Sequence, residues 1–156
     1  MCLKVSRSNA NRLWLLVMVF MTFWSGCQSY AIEHDPAAAG KTAIAFAEAA
    51  FVDKEYESAL KFLPEDRDDS FTADTLKTLV SHTHTGLDLP RSVELLAYEI
   101  VPGQRTIKIF LKASSANPNP HYYQLILSGD KSSGYKVIEF YGNSQEFPSS
   151  QLRRTF

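Results

Sequence analysis

The sequence predicts an α+β domain, with helices first and a four-stranded antiparallel sheet after them. Two observations carry this expectation. From Pro36 to Gly86 apolar residues return at helical spacing; after Pro90 the period shortens toward two and β-branched and aromatic residues take over. Strands that follow one another through short turns, with the helices before them, pair as a meander that carries its helices on one face. A chain of 156 residues holds one domain with accessory segments.

The first helix begins near Pro36. Val52, Tyr56, Ala59, Leu60 and Leu63 form its apolar stripe, Ala45 and Ala49 extend the stripe backwards, and Asp53, Lys54, Glu57 and Lys61 occupy other faces. Pro64 ends it, because proline cannot donate to the helical ladder. An acidic connection follows, Glu65, Asp66, Asp68 and Asp69 around Arg67. It lacks the glycine turn and terminal glutamate of a calcium loop and reads as a solvated linker. The second helix starts after Thr72, an N-cap, with Asp74 in the first turn where the helix dipole favours an acid. Leu76, Leu79, Val80 and Thr83 make its buried edge, and Gly86 is placed to close it.

Four strands are expected, at about 92–101, 105–113, 121–128 and 135–141. Pro102-Gly103, the loop Ser114–Pro120 and the segment Gly129–Gly134 connect them. The inner face is expected to present Ile107, Ile109, Leu111, Leu125, Ile138 and Phe140. Residues after Gly142 are polar, contain Pro148 and a basic pair, and read as a flexible tail. The expected layout is a signal segment over 1–26, a tether over 27–39, the globular domain over 40–142 and the tail over 143–156. No internal repeat is present.

The start of the chain is an address. Lys4, Arg7 and Arg12 stand in an acid-free stretch ahead of the apolar run Leu13–Trp24, the order of a secretory signal. A spanning helix wants about 20 apolar residues, and Ser25-Gly26 ends this run sooner. Those three cations belong to the 16 basic residues that face 17 acids, so a mature chain without them is mildly acidic. Such a domain has no electrostatic reason to seek nucleic acid.

Trp24-Ser25-Gly26-Cys27 resembles the lipobox of bacterial lipoproteins, with Trp24 standing where an aliphatic residue is usual. The resemblance implies thioether lipidation of Cys27, cleavage before it and acylation of the new amino terminus with a fatty acid such as palmitate. Gln28 after it, rather than aspartate, implies the periplasmic face of the outer membrane. Cys2 and Cys27 are the chain's two cysteines, so with the signal removed no disulfide forms within the domain. A competing cut after Ser29-Tyr30-Ala31 would release a soluble protein beginning at Ile32, and an inner-membrane anchor is the other alternative.

Two further segments, Phe51–Leu63 (FVDKEYESALKFL) and Gly134–Gly142 (GYKVIEFYG), resemble the helix and the closing strand of the nuclear-transport-factor-2-like superfamily. That resemblance implies a cystatin-like α+β roll over about 39–142. It also implies a cone between sheet and helices in which some members bind ligands and others, such as ketosteroid isomerase, carry out catalysis. Fold alone does not choose between these.

The chemistry-bearing residues point away from catalysis. His82 and His84 form an H-x-H pair, but side chains two apart on a helix diverge by roughly 200°, and His34 and His121 are remote in sequence. No metal and no cofactor is expected. Tyr56, Tyr98, Tyr123 and Glu139 are the polar groups available to line a pocket. Glu139 alternates with Ile138 and Phe140 and is expected to face water, which leaves the expected inner face without acid or base. Phe110 between Lys108 and Lys112 suits a partner-contact surface, the other reading being that Phe110 packs under the C-terminal tail. The functional expectation is a lipid-anchored, non-catalytic binding domain of the cell envelope that meets an envelope protein or a small apolar ligand. The alternatives are a cone-pocket enzyme and a structural subunit of an outer-membrane assembly complex.

Overall fold

The structure, a computed structural model, describes residues 32–68, 70–84, 88–116 and 118–156. The signal segment, Cys27 and the tether up to residue 31, Asp69 and the expected helix-closing Gly86 lie outside the described residues. The compact unit Ile32–Phe156 runs α1 (Pro36–Ala47), a π-helical turn (Glu48–Val52), α2 (Tyr56–Ala59) with a 3-10 turn (Leu60–Phe62), and α3 (Ala73–Thr83). Five strands follow: β1 (Ser92–Ile100), β2 (Thr106–Ser114), β3 (His121–Asp130), β4 (Gly134–Asn143) and β5 (Arg153–Thr155). They form one antiparallel sheet in the order β4-β3-β2-β1-β5.

Local chemistry sets where α1 and α3 begin. Asp35 caps α1 by accepting from the Ala38 N–H at 3.0 Å, and Pro36 follows in the first turn, where a missing N–H costs nothing. Thr72 caps α3 in a box with Thr75. The folded unit starts within the expected tether. The Lys131 N–H donates to the Glu33 carbonyl, and the Asp35 N–H donates to the Tyr135 hydroxyl at 2.7 Å, so Glu33–Asp35 is stitched to the β3–β4 hairpin.

The single helix expected from Pro36 to Leu63 is in fact two. In the π turn the Asp53 N–H reaches back to the Glu48 carbonyl, and Lys54 then turns left-handed at φ 60°. The Glu55 N–H donates to the Ala49 carbonyl at 2.8 Å, a closure that glycine usually makes. The extra residue of the π turn rotates the buried stripe. Ala43, Phe46, Ala47, Ala50 and Phe51 are fully buried, while Ala45, Ala49 and Val52 are only part-buried.

One core forms where these residues meet the inner face of the sheet. Ile107, Ile109, Leu111, Leu125, Leu127 and Val137 are buried there, with Leu60 and Phe140 packed against them. Ile138 does not belong to the core as expected; it is 42% exposed. The cause is a bulge: Leu127 pairs with Val137 but Ile126 pairs with Glu139, so Ile138 is the extra residue and the alternation resets around it. A similar shift at Leu96 bends β1. Leu79 also leaves the expected core edge and stands 42% exposed.

The sheet has a fifth strand where a flexible tail was expected. Arg153–Thr155 pairs with Ala97–Glu99, and the segment leading into it lies on the outer face of β1 and β2. There the Arg153 guanidinium stacks 3.7 Å above the Phe110 ring, with Phe147 beside it, and Arg153 donates to the Phe147 carbonyl at 2.9 Å. Glu99 is buried under this strap. The Ser150 hydroxyl first, then Lys108, hold its carboxyl below the usual range against the effect of burial.

Candidate functional site

Two places in the unit have features beyond packing. The first is an apolar groove of about 290 Å³ between α3, the 63–71 connection and β4. Leu63, Pro64, Phe71 and Leu79 form one wall, Val137, Ile138 and Phe140 the other. The sequence builds it in three steps. Pro64 follows the 3-10 turn and lines the groove. Arg67 then fixes that turn by donating to the Leu60 and Pro64 carbonyls. The bulge puts Ile138 on the rim instead of in the core. A more polar hollow adjoins it, sharing Pro64, Asp66 and Ile138 and reaching Arg105 and Lys136. Soluble domains rarely leave contiguous apolar surface open, and large side chains exposed around a concavity mark binding surfaces.

The second place is a polar cluster at one end of the core. His84 at the end of α3 is buried, and its Nδ1–H donates to the Val80 carbonyl at 2.7 Å. A carbonyl only accepts, so the neutral ring presents Nε2 as an acceptor, and the Tyr123 hydroxyl donates to it at 2.7 Å. Phe51 stacks on Tyr123 with ring centroids 4.7 Å apart and meets the His84 ring edge-on. His121, two residues before Tyr123 on the same face of β3, is also buried, and neither of its ring nitrogens has a hydrogen-bond partner. Burial lowers the affinity of His84 for a proton and raises the Tyr123 hydroxyl well above the ordinary phenol range.

This cluster corrects the expected inner face, which does hold titratable groups. The period-two pattern of β3 places His121 and Tyr123 with Leu125 and Leu127, and that signal was legible in the sequence. The pairing with His84 was not, since it joins residues 39 apart in the chain. His82 and His84 diverge as expected: His82 is exposed. Among the described residues no group of three or more His, Cys, Asp or Glu is placed to hold a metal ion. Glu139 faces solvent as expected and accepts from the Tyr141 hydroxyl, whose proton it thereby holds more tightly. Tyr56 and Tyr98 pack against the core, Tyr98 beside Phe156, and do not join the cluster.

The expected contact surface at Phe110 is covered. Phe110 is 3% exposed beneath Arg153 and Phe147, Lys108 pairs with Glu99 at 3.1 Å, and Lys112 reaches Glu94 at 3.5 Å. The alternation that pointed Phe110 outward was right; what lies on that outer face is the chain's own C-terminal segment.

Architecture and groove together define a small α+β protein with an antiparallel open sheet and an apolar groove at the β4 edge. The chain matches no protein-family model, no curated protein and no solved structure. Among the described residues no helix is long and apolar enough to cross a membrane.

Proposed function

We propose that the chain is a lipid-anchored binding protein of the cell envelope, held through Cys27 at the periplasmic face of the outer membrane. In this reading the groove between α3 and β4 takes an apolar portion of an envelope protein or a small apolar ligand. The observation that carries the binding role is the groove itself, with Leu79 and Ile138 left exposed on its opposite walls. The anchor is carried by the sequence, a single cysteine at the end of the apolar run. The order of helices before an antiparallel meander supports the cystatin-like roll of the nuclear-transport-factor-2-like superfamily as the finer description of the fold.

The enzymatic alternative has one observation in its favour, the inward His121 and Tyr123 beside His84. We place binding first because that cluster is packed under Phe51 and contains no carboxylate, whereas the groove is open to solvent.

Two experiments test the reading. Ile138→Glu puts a charge on the groove rim at an exposed position where folding tolerates it. Titration with an apolar fluorescent dye is expected to show at least a tenfold weaker site than in the unaltered protein, with the melting temperature unchanged. Equal dye affinity in both proteins would remove the groove from the proposal. Cys27→Ala is expected to abolish fatty-acid labelling and to move the protein from the membrane to the soluble fraction. Undiminished labelling, or a mature amino terminus at Ile32, would end the anchor reading.

A further inference from the structure

We propose that the buried His84–Tyr123 pair is an acid-sensitive lock that holds the C-terminal end of α3 on the sheet and opens when the envelope acidifies. The geometry that makes it a lock is specific. α3 ends against two strands at once. His84 bonds Tyr123 of β3, and the Thr83 carbonyl and methyl lie so near β4 that a Cβ on Gly142 would meet them at 3.0 and 2.9 Å. A side chain there would require Thr83 to give way.

Protonation works against the contact with Tyr123. The Nδ1–H bond to Val80 survives, but Nε2 becomes a donor, so the Tyr123 hydroxyl has to accept and its own proton loses its acceptor. A buried hydroxyl without a partner is costly. Of the groups around His84, only the Val80 carbonyl favours the charge, through the bond that Nδ1–H already makes, and burial outweighs it. Phe51 from the π turn is apolar. Lys54 from the turn before α2 and His121 from β3 both act to disfavour the cation, and burial acts more strongly in the same direction. Among the described residues no carboxylate acts on His84. The ring nitrogens of His121, at the same end of the core, have no hydrogen-bond partner.

The sign follows from linkage. The locked ring is neutral and the released ring takes up a proton, so opening binds one proton. Above the free imidazole value of about 6.5 the lock is independent of pH. Below it the opening equilibrium rises about tenfold per pH unit, until the locked ring itself protonates. Because α3 also carries Leu79, release loosens one wall of the groove. The lock itself does not rest on the groove's having a ligand.

Amide hydrogen exchange on the full chain in detergent, between pH 7.5 and 4.5 and corrected for intrinsic rates, reads the opening directly. The amides of Val80–His84 are expected to lose protection about tenfold per pH unit below 6, while those of β2 and β3 hold theirs. In His84→Gln the same amides are expected to show no pH dependence. Constant protection of this segment in the unaltered protein would overturn the proposal. So would parallel loss in the strands, which is global acid unfolding, or a slope that survives His84→Gln. Should His84→Gln not fold, Tyr123→Phe keeps the ring stack and removes the hydroxyl. The end of α3 is then expected to exchange at least tenfold faster already at pH 7.5, and protection equal to the unaltered protein would refute the lock.

Discussion

Phe51→Ala is expected to lower the stability of the folded unit by about 3–5 kcal/mol, a large share of the ~5–15 kcal/mol that holds a domain together. Phe51 is fully buried and its ring meets Phe46, Phe140, Tyr123 and His84, so its removal opens a cavity bordered by four rings on four different elements. Its neighbour Val52, part-buried on the turned face, is expected to cost no more than about 1 kcal/mol when truncated to alanine. Urea unfolding of the two variants separates the π turn from a straight helix. A straight helix would make Val52 the costly position and Phe51 the mild one, and that outcome would refute the turned register.

Phe110→Ala is expected to cost a similar amount, about 3–5 kcal/mol. Were Phe110 a free surface residue, the same change would stay within about 0.5 kcal/mol. The difference is made by the C-terminal strap. Arg153 stacked 3.7 Å from the ring contributes about 0.5–2 kcal/mol of cation–π attraction, and Phe147 shields the ring's flank. Truncating the chain before Phe147 removes the same contacts and is expected to reproduce most of the loss in a thermal melt. A neutral Phe110→Ala, with the truncated chain equally stable, would return the outer face to the solvent.

These two positions show why the sequence misleads where it does. The helical stripe through Val52 and Tyr56 is regular in the sequence, and nothing local announces that Glu48–Val52 winds with one residue more per turn. Nor does anything local announce that Lys54 turns left-handed, at a cost of about 1–3 kcal/mol that packing must offset. In β4 a strict alternation would turn either Val137 with Glu139 or Ile138 with Phe140 inward, and the bulge opposite Ile126–Leu127 follows neither, packing both Val137 and Phe140 on the core. That choice also creates the groove, because Ile138 is left outside.

Taken by itself, the sequence determined the kind and order of the elements: the cap at Thr72, the four long strands, and the inward set Ile107, Ile109, Leu111 and Leu125. It could do so because periodicity and capping depend on residues a few positions apart, whose side chains the backbone already brings to one face or one helix end. Only the tertiary structure decided the fifth strand, the strap over Phe110, the groove beside Ile138 and the bond between His84 and Tyr123. Each of these joins segments distant in the chain. Arg153–Thr155 has no strand pattern of its own and is a strand because the free edge of β1 offers it backbone partners. His84 and Tyr123 meet because the end of α3 lands on β3, where a buried hydroxyl and a buried imidazole satisfy each other in the absence of water.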